Sequence, residues 1–211
     1  MTTDTPLIWI ARHGTTTDSN KKIFRGNRDS MLDRQGFLDA HELKEFFSNK
    51  TWKHLVCSDM TRSIQTATII GEPRDETPIV LKDLDPWHIG YLTGKDKKQF
   101  KPDMEVFIEH PNMRPQDGET RNEFFGRTNP LFIAFMYLAI RQGAPVLMGG
   151  TSSSVIHALA HLLWGEGHPP LAVEPGGVIE VFLTKKGQID ARPVLKPGKD
   201  DSSFADGQPT S

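Results

Sequence analysis

Short apolar runs that open into polar or glycine-bearing loops alternate along this chain with stretches whose apolar positions recur at helical spacing. Leu7 to Ala11, LIWIA, is one such run. It ends in a Thr-rich loop, the pattern of a parallel strand buried on both faces. From Asp33 the positions Phe37, Ala40, Leu43 and Phe47 predict a helix, with Asp33 as its N-cap. HLVCSD, 54–59, predicts a second strand, and MTRSIQTATII, 60–70, the helix after it, closed at Gly71. Pro and Gly punctuate 72–96, which predicts loops with an edge strand near Ile79 to Leu81. A helical stretch around 97–109 and the loop HPNMRPQDGE follow. A long helix then runs from about Arg121 to Gln142, where Pro130 should introduce a kink.

VLMGGTSSSVIHALAHLL, 146–163, reads as a buried strand, a tight turn and a helix, and VIEVFLTKKGQIDARPVL as a hairpin turning at Lys186-Gly187. Repeated strand–helix units predict an α/β fold, a three-layer α/β/α sandwich around a mostly parallel central sheet, with no internal repeat. Residues 1–196 are expected to form one domain. The remainder, 197–211, is rich in Asp, Ser, Gly and Pro and is expected to be disordered.

Composition narrows the partners more than the fold. Lys and Arg number 25 against 27 Asp and Glu, a net charge of −2, so no global field would recruit nucleic acid or an anionic membrane. Any anion site must therefore be local. The single Cys57 rules out an intramolecular disulfide and a cysteine-rich metal site, and fits a reducing compartment. MTTDTPLIWIARHG lacks the basic start and long apolar run of a signal peptide, and no apolar stretch reaches membrane-spanning length. A cytoplasmic protein with neither nucleic-acid nor membrane partner is expected; a homodimer is left open.

In open α/β sheets ligands collect beyond the carboxyl ends of the strands. Three ends carry chemistry here: Arg12-His13-Gly14, Ser58 to Arg62, and Gly149 to Ser154. Two arginines, a histidine and a hydroxyl-rich helix start favour a dianion such as phosphate, through guanidinium forks and free backbone N–H groups. His13 adds what binding alone does not require, a neutral imidazole nitrogen able to attack phosphorus. Gly14 lets the backbone fold close to it.

Arg-His-Gly at the end of the first strand resembles the signature of the histidine phosphatase superfamily, the phosphoglycerate mutase-like proteins. Further motifs follow in family order: IFRGNRDSMLDRQGFLDA; CSDMTRSIQTA, with Arg62 in the second-arginine position; LDPWHIGYLTG, with Gly90 and Gly94; PQDGETRNEFFGR; and VLMGGTSSSVIHAL. Together they span roughly residues 7–183. The resemblance implies in-line attack by His13 on a phosphoryl group, a phosphohistidine hydrolysed by water, and stabilisation of the phosphoryl oxygens by Arg12 and Arg62. It implies no metal or other cofactor. Asn20 and Arg25 fall in the loop that closes over phosphate in the family, and Gly14, Thr151, Ser152 and Ser153 join the phosphate-binding set.

Two positions depart from the family pattern. Ser152 stands where a second active-site histidine is expected, and Pro86 where a glutamate donates the proton to the leaving group. Asp85 and Glu119 are the candidate replacement acids, and the sequence does not choose between them. Ser152 to Ser154 also suit simple helix capping. His157 and His161 stand at i, i+4, but no third ligand accompanies them, so metal binding there is not expected. Gly-Thr-Ser-Ser-Ser lacks the final glycine of a nucleophile elbow, which sets aside a serine hydrolase. The expected partner is a phosphorylated small molecule, a metabolite or nucleotide, and the short segment before Gly-Glu-Thr favours phosphatase over mutase. A family member that holds such a ligand without efficient turnover is the alternative, and whether Ser152 is native or a disabling replacement stays open.

Overall fold

The computed structural model describes residues 4–168 and 171–196. Six strands form one sheet: β1 (Thr5–Arg12), β2 (His54–Cys57), β3 (Ile79–Val80), β4 (Val146–Thr151), β5 (Val178–Leu183) and β6 (Ile189–Leu195). Their order across the sheet is β3-β2-β4-β1-β5-β6. β3, β2, β4 and β1 are mutually parallel, whereas β5 runs antiparallel to both of its neighbours. Five helices cover the faces: α1 (Arg34–Ser48), α2 (Thr61–Gly71), α3 (Lys101–Glu109), α4 (Arg121–Gln142) and α5 (Ser153–Trp164). This is the expected three-layer arrangement.

The central strands are apolar on both sides because both sides are covered. Ile8, Ile10, Val56, Val146 and Met148 point into one core with Phe132 and Phe135 of α4 and Ile156 and Leu159 of α5. Trp9, Ala11, Leu55, Cys57 and Leu147 point the other way, onto Leu43 and Phe47 of α1 and Ala67 and Ile70 of α2. The strand alternation thus divides the molecule into its two helical layers.

α4 begins at Arg121 because Thr120 caps it: the Thr120 hydroxyl accepts from Glu123 N, and the Glu123 carboxylate accepts from Thr120 N. It ends at Gly143, whose φ of 66° suits a left-handed C-cap. Pro130 lies inside α4, which continues as one helix across it. Asp33 caps α1 as expected, accepting from Gly36 N at 2.8 Å.

Several details differ from the sequence reading. Phe37 is exposed, because α1 turns Gly36, Ala40, Leu43 and Phe47 inward. α2 does end at Gly71, but Gly71 is itself right-handed, with φ −74°; the chain continues through a single 3-10 turn, Glu72–Arg74, and the left-handed residue is Asp75, whose φ is 52°. Gly71 is needed for space, since a Cβ there would lie 2.3 Å from Glu76 O. The edge strand shrinks to Ile79–Val80, and α3 starts only at Lys101. The tail expected to be disordered lies outside the described residues. No helix among the described residues is long and apolar enough to cross a membrane.

Candidate active site

The loop after β1 is clamped onto the start of α1. A Cβ at Gly14 would sit 2.3 Å from Gly36 O, and one at Gly36 would sit 1.9 Å from Thr15 O, so two glycines allow the backbones to meet. Asp39 holds the loop from α1, accepting from Thr15 N at 2.8 Å and from Thr15 Oγ1 at 2.7 Å. At the neighbouring strand end, Ser58 Oγ donates to Ser63 Oγ, and Ser63 Oγ donates to Gly150 O at 2.5 Å. Gly150 has φ 73°, and a Cβ there would press on the Ser63 backbone at 2.6 Å. β1, α2 and the β4 turn are thereby fixed around one point.

That point is His13. Its side chain is buried, and Nδ1 lies 2.7 Å from Gly14 O. A carbonyl can only accept, so Nδ1 of the neutral ring carries the proton and Nε2 keeps its lone pair. Burial, and then the positive charge of Arg62, push the imidazole's proton affinity well below the usual histidine range. The ring is therefore neutral at pH 7.

His13 lines a cleft of about 250 Å³ with Arg25, Arg62, Lys97, Ser152 and Ser153. Arg62 is 2% exposed; Nη1 donates to Arg28 O at 3.0 Å and stands 3.8 Å from Asp29 Oδ1. Burial and the nearby Arg25 lower its pKa to about 10, which leaves it charged at neutral pH. Its Nε and that of Arg12 are buried with no hydrogen-bond partner among the described residues. Burial also lowers the pKa of Arg25 and of Lys97, the latter further through Arg25 and Arg12. Cations held this close with so little compensation favour an anion between them.

The sequence candidates separate into those the cleft gathers and those it does not. His13, Arg25, Arg62, Ser152 and Ser153 line it. Arg12 does not; its Nη1 donates to Val173 O, although its charge is felt at His13. Gly14 shapes the loop. Asn20 is exposed and away from the lining, and Thr151 turns its hydroxyl back to Met148 O at 3.4 Å while its carbonyl accepts from His13 N. Ser152 caps α5, accepting from Val155 N at 3.4 Å, so capping and cleft lining coexist.

The two candidate acids differ sharply. Glu119 is spanned by Arg127, with Nη2 to Oε1 at 2.6 Å and Nε to Oε2 at 3.0 Å, and it accepts from His88 N. Arg127 also donates to the carbonyls of Asp83, Asp85 and Pro86, so this pair pins the loop beside the cleft. Asp85 accepts from Asp59 N at 2.8 Å through Oδ1, and burial raises its carboxyl pKa above the usual range. Pro86 itself faces the cleft, as do Phe24, Trp87, Ile89, Met104 and Lys97, none of which the sequence reading had placed there. The only available signal was Lys97 standing shortly after Gly94, within a charged run that reads equally well as a solvated helix start. Among the described residues no three His, Cys, Asp or Glu side chains converge to hold a metal ion; His161 stacks on Phe125 at 4.6 Å, and His157 lies tilted to the same ring at 6.5 Å.

The family model of the histidine phosphatase superfamily (branch 1) matches residues 8–188. The chain belongs to this superfamily. Among curated proteins it is 28% identical over 98 residues to the probable phosphoglycerate mutase GpmB of Yersinia pestis, a match covering 46% of this chain and 46% of that protein. The match therefore spans about half the length of such relatives. A mycobacterial glucosyl-3-phosphoglycerate phosphatase in complex with VO3 superposes with a TM-score of 0.71 at 21% identity, over 91% of this chain and 98% of that one. A phosphoglycerate mutase from Thermus thermophilus gives 0.66 at 24%, over 90% and 99%. These likenesses establish the shared fold, a phosphoglycerate mutase-like histidine phosphatase fold. Within it, the buried histidine at the end of β1 and the arginine of α2 occupy one cleft.

Proposed function

We propose that this chain is a metal-independent phosphomonoesterase that works through a phosphohistidine at His13. The observation that carries the reading is the Nδ1 contact to Gly14 O, which leaves the Nε2 lone pair of a neutral ring in a cleft with Arg25, Arg62 and Lys97. Nε2 attacks phosphorus as the ester P–O bond breaks; the electron pair leaves with the alcohol oxygen, which takes a proton. Water then attacks the phosphohistidine, breaking the P–N bond, releasing inorganic phosphate and restoring His13. Arg62 and Arg25 stabilise the charge on the phosphoryl oxygens, with Arg12 adding to the field.

Asp85 is the proposed proton donor. Asp85 stands outside the cleft lining but directly before Pro86, which faces it, and burial raises the pKa of its carboxyl, whereas Glu119 is committed to Arg127. Ser152 occupies the place of the family's second histidine and offers the phosphate one hydroxyl and the start of α5. A second reading, a phosphate-ligand binder with little turnover, draws support from the cleft lining itself, which contains Pro86 and a neutral serine but no carboxylate.

The two separate in one assay of a generic aryl phosphate with chelator present. The phosphatase reading expects turnover by the parent protein, abolished in His13→Ala and reduced about 10²–10³-fold in Arg62→Ala, the loss typical of one missing oxyanion donor. Full activity in His13→Ala would end the phosphohistidine reading. An inactive parent made active by Ser152→His would favour the binder.

A further inference from the structure

A second hollow, of about 320 Å³, opens from the His13 cleft. The two share Phe24, Trp87 and Met104 as walls, with Ser153 and Ser154 at the junction. The far side is built from Ile108 of α3 and from Phe124 and Phe125 of α4. Trp87 is held in place by stacking on Phe124 at 6.2 Å and by donating Nε1–H to Glu119 O at 3.0 Å.

Of the polar groups of this hollow, Arg121 and Ser154 are already engaged. Arg121 makes a double contact with Glu166, at 3.0 and 3.2 Å, donates to Ile108 O at 3.0 Å, and lies over the Phe125 ring. Burial and the charge of Arg121 lower the proton affinity of His157, so the wall beside it is neutral. Ser154 Oγ is met by Trp87 N and by Ser152. A carboxylate or a polyhydroxyl group entering here would give up its full hydration for, at most, Ser153 and His157 among walls that are otherwise aromatic and aliphatic. An apolar group would remove aromatic and aliphatic surface from water.

We propose that the hollow receives the alcohol part of the substrate, and that this part is apolar and ring-bearing. This rests on the phosphatase reading, because a phosphoryl group beside His13 must carry its alcohol away from the cations, and the hollow adjoins them. Size fits the assignment: an apolar cavity of about 150 Å³ accommodates one benzene ring, so a hollow of this volume takes a group of one to two rings.

Titration calorimetry with two non-hydrolysable phosphonates tests it, since a P–C bond cannot be cleaved and turnover plays no part. Methylphosphonate reports the cation cleft alone; (1-naphthylmethyl)phosphonate adds the rings. The naphthyl compound is expected to bind at least about tenfold more tightly, the effect of burying a modest part of one large apolar group. Ile108→Glu should erase most of that preference while leaving methylphosphonate affinity unchanged; Ile108 is 41% exposed, so the fold should tolerate the change. Ile108→Ala, which shortens the same wall without adding charge, should lower the preference in the same direction. Equal affinity for the two phosphonates overturns the proposal while leaving the phosphatase reading standing, as does a naphthyl preference indifferent to both Ile108 variants. Failure of both compounds to bind overturns the proposal and the phosphatase reading together.

Discussion

His13 illustrates how burial sets chemistry at the scale of one residue. Desolvation and the surrounding arginines disfavour the imidazolium, so the folded ring takes a proton only well below the pH at which the unfolded ring does. The unfolded state therefore binds more protons as pH falls through about 6.5, and stability is lost in that direction. Denaturant titrations between about pH 7 and about pH 5.5 should show the parent weakening on acidification and a His13→Asn variant weakening less. His157 is shifted in the same direction, so part of the slope should survive. Asp85 has the opposite sign: its raised carboxyl pKa makes the folded state the better proton acceptor, and at a lower pH than histidine. An unchanged slope in His13→Asn would mean that the ring is not held neutral by the fold.

At the scale of elements, packing decides between competing propensities. Alanine is a better helix residue than glycine by about 0.8–1.0 kcal/mol, yet overpacking costs about 1–3 kcal/mol. At Gly36 the atom in the way is a backbone oxygen, Thr15 O at 1.9 Å, which no rotamer change relieves. Gly36→Ala should thus destabilise by roughly 1–2 kcal/mol in urea titration and should loosen the His13 loop. A stabilised variant would show that the α1 contact is softer than the geometry implies. The same competition marks how far the sequence could be read. Asp33, Arg121, Gln142 and the hairpin at Gly187 were legible because each depends on local capping or turn chemistry. Phe37 was misplaced because hydrophobic spacing cannot tell that Gly36, not its neighbour, must face the β1 loop. Gly71 ends α2 as its position suggests but for a different reason, because a glycine required for space looks the same in sequence as one required for φ.

Across the whole molecule, His13, Arg62 and Ser152 come from three separate strand ends, and one rule about α/β sheets was enough to bring them together. Lys97, Trp87 and Met104 come from 86–108, whose course depends on docking against α4 and α5; no local period encodes that, and they went unseen. The acids show the same boundary, since only the fold reveals that Arg127 occupies Glu119. The proposed convergence of these elements on one anion has a global consequence. Inorganic phosphate that binds the folded state alone should stabilise it by about 2.7 kcal/mol at a hundredfold excess over its Kd. Thermal melts in phosphate should show this shift in the parent and lose it in Arg62→Ala.

The central claim, covalent catalysis by His13, is tested most directly by rapid mixing with an aryl phosphate, a quench that avoids acid, and mass measurement of the intact chain and its peptides. The account predicts one phosphoryl group, carried on the peptide containing His13, lost on acidification and absent from His13→Ala. Release of phosphate with no phosphoryl group ever found on His13, and undiminished in His13→Ala, would contradict it.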